Sequence, residues 1–488
     1  MHVGMIVEMA SDSLADRVAI GSLDAGVTYA EIGHRARRAG TWLAAQPATH
    51  VVLVDENSLA VPVALYGAAI AGKPFVPVNY RLADDRLRAI ISRVTPCVLI
   101  AGAGVAERVA GIEGVELVDR DTFLAMSIDE SIEETDGWGC DPDATAVLLF
   151  TSGTTGDPKA AVLRHRNLAA YLVTSLEFGA AGDDEATIVS VPPYHIASVS
   201  SVLSTTYTGR RVIQLESFDP KRWVDAVRQE NVTHAMVVPT MLNRILDVID
   251  ADGDGLPSLR NLAYGGGPMP AQVVERAMNL LAHVDLVNAY GLTETSSTIS
   301  VLGPDDHRLA FYSDEPEWKA RLGSVGQPLP GVEVEIRDGI IWVRGDQVSG
   351  EYEGLGSTMD DGWFNTRDAG YVDDEGYLFV QGRVDDVIVR GGENLSPGEI
   401  ETVLMEHPAV EAAAVVGIPD VEWGERVVAA VVACADCTED ELRDHVRAAL
   451  RSASTPERIK FVEELPFNET GKLLRRVLRE ELAAEFAG

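Results

Sequence analysis

Residues 148–162, LLFTSGTTGDPKAAV, combine residue types that suit phosphate chemistry. An apolar run to Phe150 leads into Thr151, Ser152, Gly153, Thr154, Thr155 and Gly156, and the segment closes with Pro158 and Lys159. Glycine lets backbone N–H groups converge on phosphate oxygens, hydroxyls add donors, and Lys159 adds positive charge. This is not a Walker A loop, which needs four residues between its glycine and Gly-Lys. Taken alone, a polar glycine-rich turn is often only a turn. In NAYGLTETSS, residues 288–297, Asn288, Ala289, Tyr290 and Gly291 lead to Thr293 and Glu294. A carboxylate at a strand end beside a phosphate loop suits Mg²⁺; in isolation it reads equally as a surface glutamate. Residues 362–386 carry Asp368 and Arg383, a pair suited to a ribose diol and its phosphate, or to a solvated hairpin. VIVRGGENLSP runs from a strand through Arg390 into Gly391-Gly392, and NETGKLLRR sets Lys472 after a glycine turn.

The elements that position these residues fall into three regions. From Thr28 to about Cys140, TYAEIGHRARRAGTWLAA reads as an amphipathic helix, and HVVLVD and PCVLIAG as buried parallel strands, each followed by a helix. To about Gly382 the alternation repeats, with ATAVLLFT, DEATIVSVPP, HAMVVPT and DLVNAYG as strands. Beyond Thr298 this region turns strand-rich, and VEVEIRDGIIWVRG predicts a hairpin around Asp338-Gly339. From about Val384 a helix, two strands and a helix suggest a compact α+β unit.

The five chemical segments together, in this order and spacing, resemble the adenylate-forming superfamily of acyl- and aryl-CoA ligases, luciferase and peptide-synthetase adenylation domains. The similarity runs from TYAE near residue 28 to LLRR near residue 476, and GRVDDVIVRGGEN looks especially like bacterial aryl-CoA ligases. The resemblance implies an α/β fold with a large N-terminal domain, residues 1–383, of βα-layered subdomains plus a β-rich part. A small mobile α+β lid, residues 384–488, follows. ATP, Mg²⁺ and coenzyme A are the implied cofactors, and the reaction is activation of a carboxylic acid followed by thiol transfer.

By the same resemblance, Thr151, Ser152, Thr154 and Thr155 wrap the ATP β- and γ-phosphates. Gly153, Gly156 and Lys159 complete that loop. Glu294, with Thr154, holds Mg²⁺, and Thr293 touches the α-phosphate. Gly265, Gly266 and Gly267 frame the adenine with Asn288, Ala289, Tyr290 and Gly291. Asp368 accepts the ribose hydroxyls with Arg383 near it, and His195 lines or gates the acyl pocket. Lys472 reaches the reacting carboxylate, Asp385 is the hinge, and Gly392, with Arg390 and Gly391 beside it, lies at the thiol tunnel.

Two departures bear on function. Ala160 stands where the family usually has glycine after the loop lysine, and is strained only if φ there is positive. Ala453, Ser454, Thr455 and Pro456 replace an aromatic-Lys-x-Pro segment, so a cation near the coenzyme A nucleotide is missing; Arg390, Arg458 and Lys460 are the candidate substitutes. A carrier-protein thiol or another nucleophile is therefore the alternative acceptor. The stretch HIASVSSVLST lacks the acidic residue that pairs with a substrate ammonium, so an aryl or short- to medium-chain acyl acid is expected rather than an amino acid. A non-catalytic nucleotide-binding protein is the reading from another class, and the presence of both Glu294 and Lys472 argues against it.

Composition narrows the partners. With 76 acidic against 40 basic residues the net charge is −36, which repels nucleic acid and anionic lipid, so neither is an expected partner. Any phosphate site must be built locally. No apolar run reaches membrane-spanning length and no signal peptide is evident, so a cytoplasmic monomer or homodimer is expected. Cys434 and Cys437 have no second CxxC pair to make a metal site.

Overall fold

The computed structural model describes residues 1–151, 158–421, 423–467 and 473–486. Among these residues, sheets of eight, nine and four strands form a large N-terminal domain and a five-stranded sheet forms a smaller C-terminal one.

In the eight-stranded sheet, His50–Val54 pairs in parallel with Phe75–Pro77 and Cys97–Ala101. Its continuous apolar run follows from burial on both faces. Val51 and Leu53 enter one core with the helices Val3–Ser13, Tyr29–Ala45, Ala60–Ile70 and Ile196–Thr208. Val52 and Val54 enter another with Leu87, Ile90 and Ile91 of the Asp84–Arg93 helix. The Tyr29–Ala45 helix starts where a capping box sets it: the Thr28 hydroxyl accepts the Glu31 N–H (3.3 Å), and Glu31 accepts the Thr28 N–H (2.7 Å). Its Gly40 lets Ile70 of the neighbouring helix approach; a Cβ there would lie 2.5 Å from Ile70 Cγ2. The Val3–Ser13 helix precedes the first of the sequence regions and packs into the same core through Val3, Ile6, Val7 and Ala10.

The sequence regions and the sheets do not coincide. Thr145–Thr151 and Lys159–Arg164, assigned to the second region, join the first region's sheet, where Phe75–Pro77 pairs with Thr145–Thr151. Glu351–Tyr352 joins the same sheet beside Lys159–Arg164. Local alternation of strands and helices carries no information on which sheet a strand enters. The strand before the glycine-rich loop ends at Thr151, where the expected strand ATAVLLFT ends.

In the nine-stranded sheet Ala186–Val189, His234–Val237, Asn261–Gly265 and Asp285–Leu292 run parallel, in agreement with their apolar runs. The expected hairpin is present as Glu333–Arg337 and Ile340–Arg344. Asp338 (φ 51°) and Gly339 (φ 75°) form the tight turn in the four-stranded sheet with Phe364–Val372 and Leu378–Arg383. In the C-terminal sheet, Val410–Asp420 and Gly424–Ala433 pair antiparallel. Val415 faces the Pro397–Met405 and Glu439–Ala449 helices, while Val416 and Ile418 face the Arg475–Glu485 helix.

Candidate active site

The strand Asp285–Leu292 is the axis of the site. Gly265 lies opposite Ala289 on the neighbouring parallel strand, and a Cβ at Gly265 would meet the Ala289 carbonyl oxygen at 2.2 Å. Only glycine fits that approach. Gly266 follows in the left-handed region (φ 83°) and turns the chain out of the sheet. Asn288 donates from Nδ2 to the Ser324 carbonyl (3.0 Å), so its amide is oriented by the backbone. Gly291 opens a bulge; a Cβ there would be 1.9 Å from the Ser297 carbonyl oxygen.

Beyond Leu292 the chain makes a single tight turn, Thr293–Thr295. Thr295 secures it, its hydroxyl donating to the carbonyls of Leu292 (3.0 Å) or Ser297 (2.8 Å) and accepting the Leu292 N–H (2.9 Å). The turn leaves Thr293 half-buried and Glu294 only 9% exposed. The Glu294 backbone carbonyl accepts the Ser349 N–H (2.8 Å), and the Tyr352 hydroxyl donates to Glu294 Oε1 at 2.6 Å. Burial, with the carboxylate beside it, pushes the Tyr352 phenol up, so it stays a donor. Lys159 Nζ lies 5.7 Å from the centre of the Tyr352 ring. Thr151, at the end of its strand, donates from its hydroxyl to the Lys159 carbonyl (3.3 Å).

A second cluster is built on paired strands. Asp368 and Arg383 are register partners. Arg383 donates to Asp368 Oδ1 (3.0 Å) and to the Thr366 carbonyl (3.2 Å), and the Tyr290 hydroxyl donates to Asp368 Oδ2 (2.6 Å). Asp368 is 5% exposed. Burial disfavours the Arg383 cation, yet Asp368, Glu294 and Tyr290 together hold its proton more firmly than usual. Burial and then Asp368 push the Tyr290 phenol well up, so it remains protonated.

His195 caps the Ile196–Thr208 helix without a side-chain hydrogen bond. Its ring lies 4.6 Å from that of Tyr194, and burial lowers its pKa to about 4. It is a neutral imidazole near pH 7. In the same helix the buried Ser198 hydroxyl has no hydrogen-bond partner among the described residues, and neither has that of Ser296.

Gly391 (φ 58°) and Gly392 (φ 83°) form the two-residue turn between Ile388–Arg390 and Glu393–Leu395. Trp423 packs on the turn; a Cβ at Gly391 would lie 2.9 Å from its ring. Arg390 donates to the Ala453 carbonyl (3.1 Å) and to Glu457 (2.5 Å). Of the three candidate substitute cations it reaches the 453–457 segment directly, whereas Arg458 pairs with Glu439 and Lys460 with Glu485. Asp385 sits in the Val384–Asp386 turn. No hydrogen bond or ion pair among the described residues joins the Gly391-Gly392 turn to the Glu294 or Asp368 clusters. Ala160 is not strained: it lies in the Lys159–Arg164 strand opposite Phe150 and is absent from the positive-φ residues.

Structure thus joins Glu294 and Lys159 through Tyr352, and Tyr290, Asp368 and Arg383 directly. Ser152, Gly153, Thr154, Thr155, Gly156 and Lys472 lie outside the described residues. Sequence reasoning does not reach Tyr352 and Thr366. Their role comes from long-range strand pairing, for which YEGLG and FNTRD carry no local signal. Among the described residues no group of three or more His, Cys, Asp or Glu is assembled. A Mg²⁺ here would rest on Glu294, whose Oε2 is not engaged by Tyr352, together with phosphate oxygens and water, which suits that ion.

The fold is that of an adenylate-forming enzyme. The family model described as AMP-binding enzyme matches residues 7–353, and the AMP-binding enzyme C-terminal domain matches 399–472. The chain belongs to the AMP-binding enzymes. It is 34% identical to a feruloyl-CoA synthase of Amycolatopsis sp over 475 residues, 93% of each chain. It is 30% identical to the fatty acid–[acyl-carrier-protein] ligase ScoC of Streptomyces coeruleorubidus, over 94% of this chain and 92% of the relative. The o-succinylbenzoate CoA synthetase of Bacillus subtilis, solved with its acyl-adenylate intermediate, superposes with a TM-score of 0.82 at 26% identity over 97% of each chain. These relatives are acid–thiol ligases. No helix among the described residues is long and apolar enough to cross a membrane.

Proposed function

We propose that this enzyme uses ATP and Mg²⁺ to convert an aryl or short- to medium-chain carboxylic acid into its acyl-adenylate, releasing pyrophosphate, and passes the acyl group to the thiol of coenzyme A. The observation that carries this reading is the Tyr290–Asp368–Arg383 cluster beside the Tyr352–Glu294 pair. It offers an ordered carboxylate for a ribose diol, next to a second carboxylate at a strand end, linked through Tyr352 to Lys159 at the close of the glycine-rich loop.

In this reading Tyr290 and Arg383 each hold one oxygen of Asp368, whose remaining lone pairs accept the two ribose hydroxyls. The flat, small surface of Gly265, Gly266 and Gly267 with Asn288, Ala289, Tyr290 and Gly291 takes the adenine. Thr151, Ser152, Gly153, Thr154, Thr155, Gly156 and Lys159 supply donors and charge to the β- and γ-phosphates. Glu294 and Thr154 hold Mg²⁺, which supplies neutralisation of the charge that builds on the leaving pyrophosphate. Thr293 and Lys472 orient the α-phosphate and the substrate carboxylate for attack, a positioning and electrostatic contribution. Neutral His195 lines the acyl pocket. The small domain, residues 384–488, turns on the large one, residues 1–383, about Asp385. That motion exchanges Lys472 for the Gly391-Gly392 turn and admits the thiol.

The helix that follows His195 carries no acidic side chain, which supports a substrate without an ammonium group. A carrier-protein thiol is the second reading, favoured by the missing lysine at Ala453-Ser454 and by the carrier-protein ligase among the relatives. Arg390, held on the Ala453 carbonyl and paired with Glu457 (2.5 Å), is the cation nearest that segment for coenzyme A to recruit. Mass spectrometry after incubation with ATP, Mg²⁺ and a panel of aryl and acyl acids, with and without coenzyme A, tests both. The expected product is acyl-CoA. Adenylate that accumulates and ignores coenzyme A moves the acceptor to a carrier protein, and no adenylate from any acid overturns the proposal.

A further inference from the structure

The turn Val384–Asp386 leads from the four-stranded sheet into the C-terminal sheet, and charged side chains hold the chain on both sides of its middle. On one side Arg383 donates to Asp368 Oδ1 (3.0 Å) and to the Thr366 carbonyl (3.2 Å). On the other, Asp386 Oδ2 lies 3.2 Å from Arg475 Nε. Arg383 and Asp386 are half-buried, whereas Val384 and Asp385 between them are exposed. Asp385 meets an exposed partner, Arg367, at the longer distance of 3.5 Å.

Arg475, which receives Asp386, is itself held from several directions. Its Nη1 donates to Glu401 Oε1 (2.5 Å) and to the Val415 carbonyl (2.7 Å), and its Nη2 donates to Glu401 Oε2 (2.7 Å). A two-pronged match to a carboxylate fixes the plane of a guanidinium, and the remaining edge, Nε, meets Asp386. Glu401 is 7% exposed, and the Val415 N–H donates to its Oε1 (2.7 Å). Burial disfavours the Arg475 cation, yet Glu401 and then Asp386 hold its proton more firmly than usual. One side chain at the start of the Arg475–Glu485 helix thus ties the turn to the Pro397–Met405 helix and the Val410–Asp420 strand. Beyond Asp386 the next firmly packed residue is Ile388, which is buried in the C-terminal core. Without the Asp386 tie, the loose segment would run from Val384 through Val387.

We propose that Asp386 is a positioning residue: through Arg475 and Glu401 it fixes the far end of the hinge, and with Arg383 fixing the near end it confines the turning of the small domain to Val384 and Asp385. A short pivot admits few relative orientations, so the small domain stays close to those that the two half-reactions use. A longer one reaches more orientations and lowers the fraction of time spent in a productive one. That loss falls on turnover rather than on substrate binding. The inference rests on the reading that the small domain turns about Asp385 between adenylation and thiol transfer.

The test uses the full-length enzyme. Asp386→Asn keeps the size of the side chain, removes its charge and leaves the Arg475–Glu401 pair in place. The melting temperature should change little, because a partly exposed ion pair contributes little to global stability. Hydrogen exchange read by mass spectrometry on the peptide spanning 384–390 should speed up about fivefold, the upper range for one such pair. With the best acid of the panel, kcat should fall about fivefold while KM for ATP and for the acid stays unchanged. Asp386→Glu, which keeps the charge, should recover part of the rate. Arg475→Lys keeps a cation for Glu401 but lacks the fork that also presents an edge to Asp386. It should reproduce both effects, and adding Asp386→Asn to it should change neither further. Wild-type hinge exchange in Asp386→Asn, an unchanged kcat, a raised KM in place of a lowered kcat, or additive effects of the two substitutions overturns the positioning role. If Arg475→Lys does not fold, Asp386→Asn and Asp386→Glu decide the matter between them. Acid-dependent pyrophosphate exchange by the wild-type enzyme is measured separately: its absence overturns the adenylation reading, whereas hydrogen exchange still reads the tie between Asp386 and Arg475.

Discussion

Tyr352 exemplifies how one side chain, silent in the sequence, fixes another that is legible. Its 2.6 Å hydrogen bond holds one oxygen of Glu294 and does not engage the other. Tyr352→Phe should leave the melting temperature nearly unchanged and reduce acid-dependent pyrophosphate exchange about tenfold or more, the scale of a lost hydrogen bond to a charged group. The loss should appear partly as a raised Mg²⁺ requirement. Wild-type exchange at all Mg²⁺ concentrations would show that Tyr352 does not organise the site. His165 is a stability residue by contrast. Burial first, and then His2, lower its pKa to about 4 against the pull of Asp141. An unfolded chain protonates this imidazole near 6.5 and the folded one only near 4, so between those values the unfolded state binds more protons. Its contribution to stability is therefore complete above about pH 6.5 and is lost as pH falls toward 4. Thermal melts at about pH 7 and pH 5 should show a smaller drop for His165→Asn than for wild type; equal drops would contradict the assignment.

At the level of elements, the surface formed by Gly265 and Ala289 depends on how closely two parallel strands approach. Gly265 is inferred from sequence as an adenine contact, but its first requirement is packing: a Cβ added there would stand 2.2 Å from the Ala289 carbonyl oxygen, a separation incompatible with any side chain. Gly265→Ala should lower stability by ~1–3 kcal/mol through overpacking and backbone displacement. ATP affinity should fall as well, measured by denaturant unfolding and calorimetry. Unchanged stability would mean the strands can part freely. The Gly391-Gly392 turn differs, since Gly392 has open space around it and needs glycine for its φ of 83°. The sequence makes this turn visible as a glycine pair but does not say that Trp423 packs on it.

At the scale of the whole molecule, the segment after Arg383 lies between the four-stranded sheet and the C-terminal sheet, and there Asp385 and Asp386 make contacts in opposite directions. Asp385 pairs with Arg367 of the Phe364–Val372 strand (3.5 Å), and Asp386 with Arg475 of the C-terminal helix (3.2 Å). If the two half-reactions need different domain arrangements, Asp385→Pro, which restricts the backbone, should spare pyrophosphate exchange and slow thiolysis of a supplied acyl-adenylate. Equal loss of both steps would place the effect on folding rather than on rotation. Lys472→Ala should do the reverse, abolishing adenylation while sparing thiolysis, and parallel loss of both would remove the lysine from its proposed role.

The sequence by itself determined the family and many of the elements, and it named the candidate chemical residues. These depend on local information: apolar runs, the Thr28–Glu31 cap, glycines at turns, and segments whose spacing is specific when taken together. Helices and hairpins near their expected places follow from the same local rules, as Asp338-Gly339 does. The tertiary structure decided which sheet each strand enters, so that Thr145–Thr151 and Glu351–Tyr352 meet in one sheet although they lie far apart in the chain. It also decided the partners of each charge: Tyr290 and Arg383 on Asp368, Tyr352 on Glu294, Arg367 on Asp385. Pairing of that kind depends on register across strands distant in sequence, and a shift of one residue would turn each of these side chains to the opposite face.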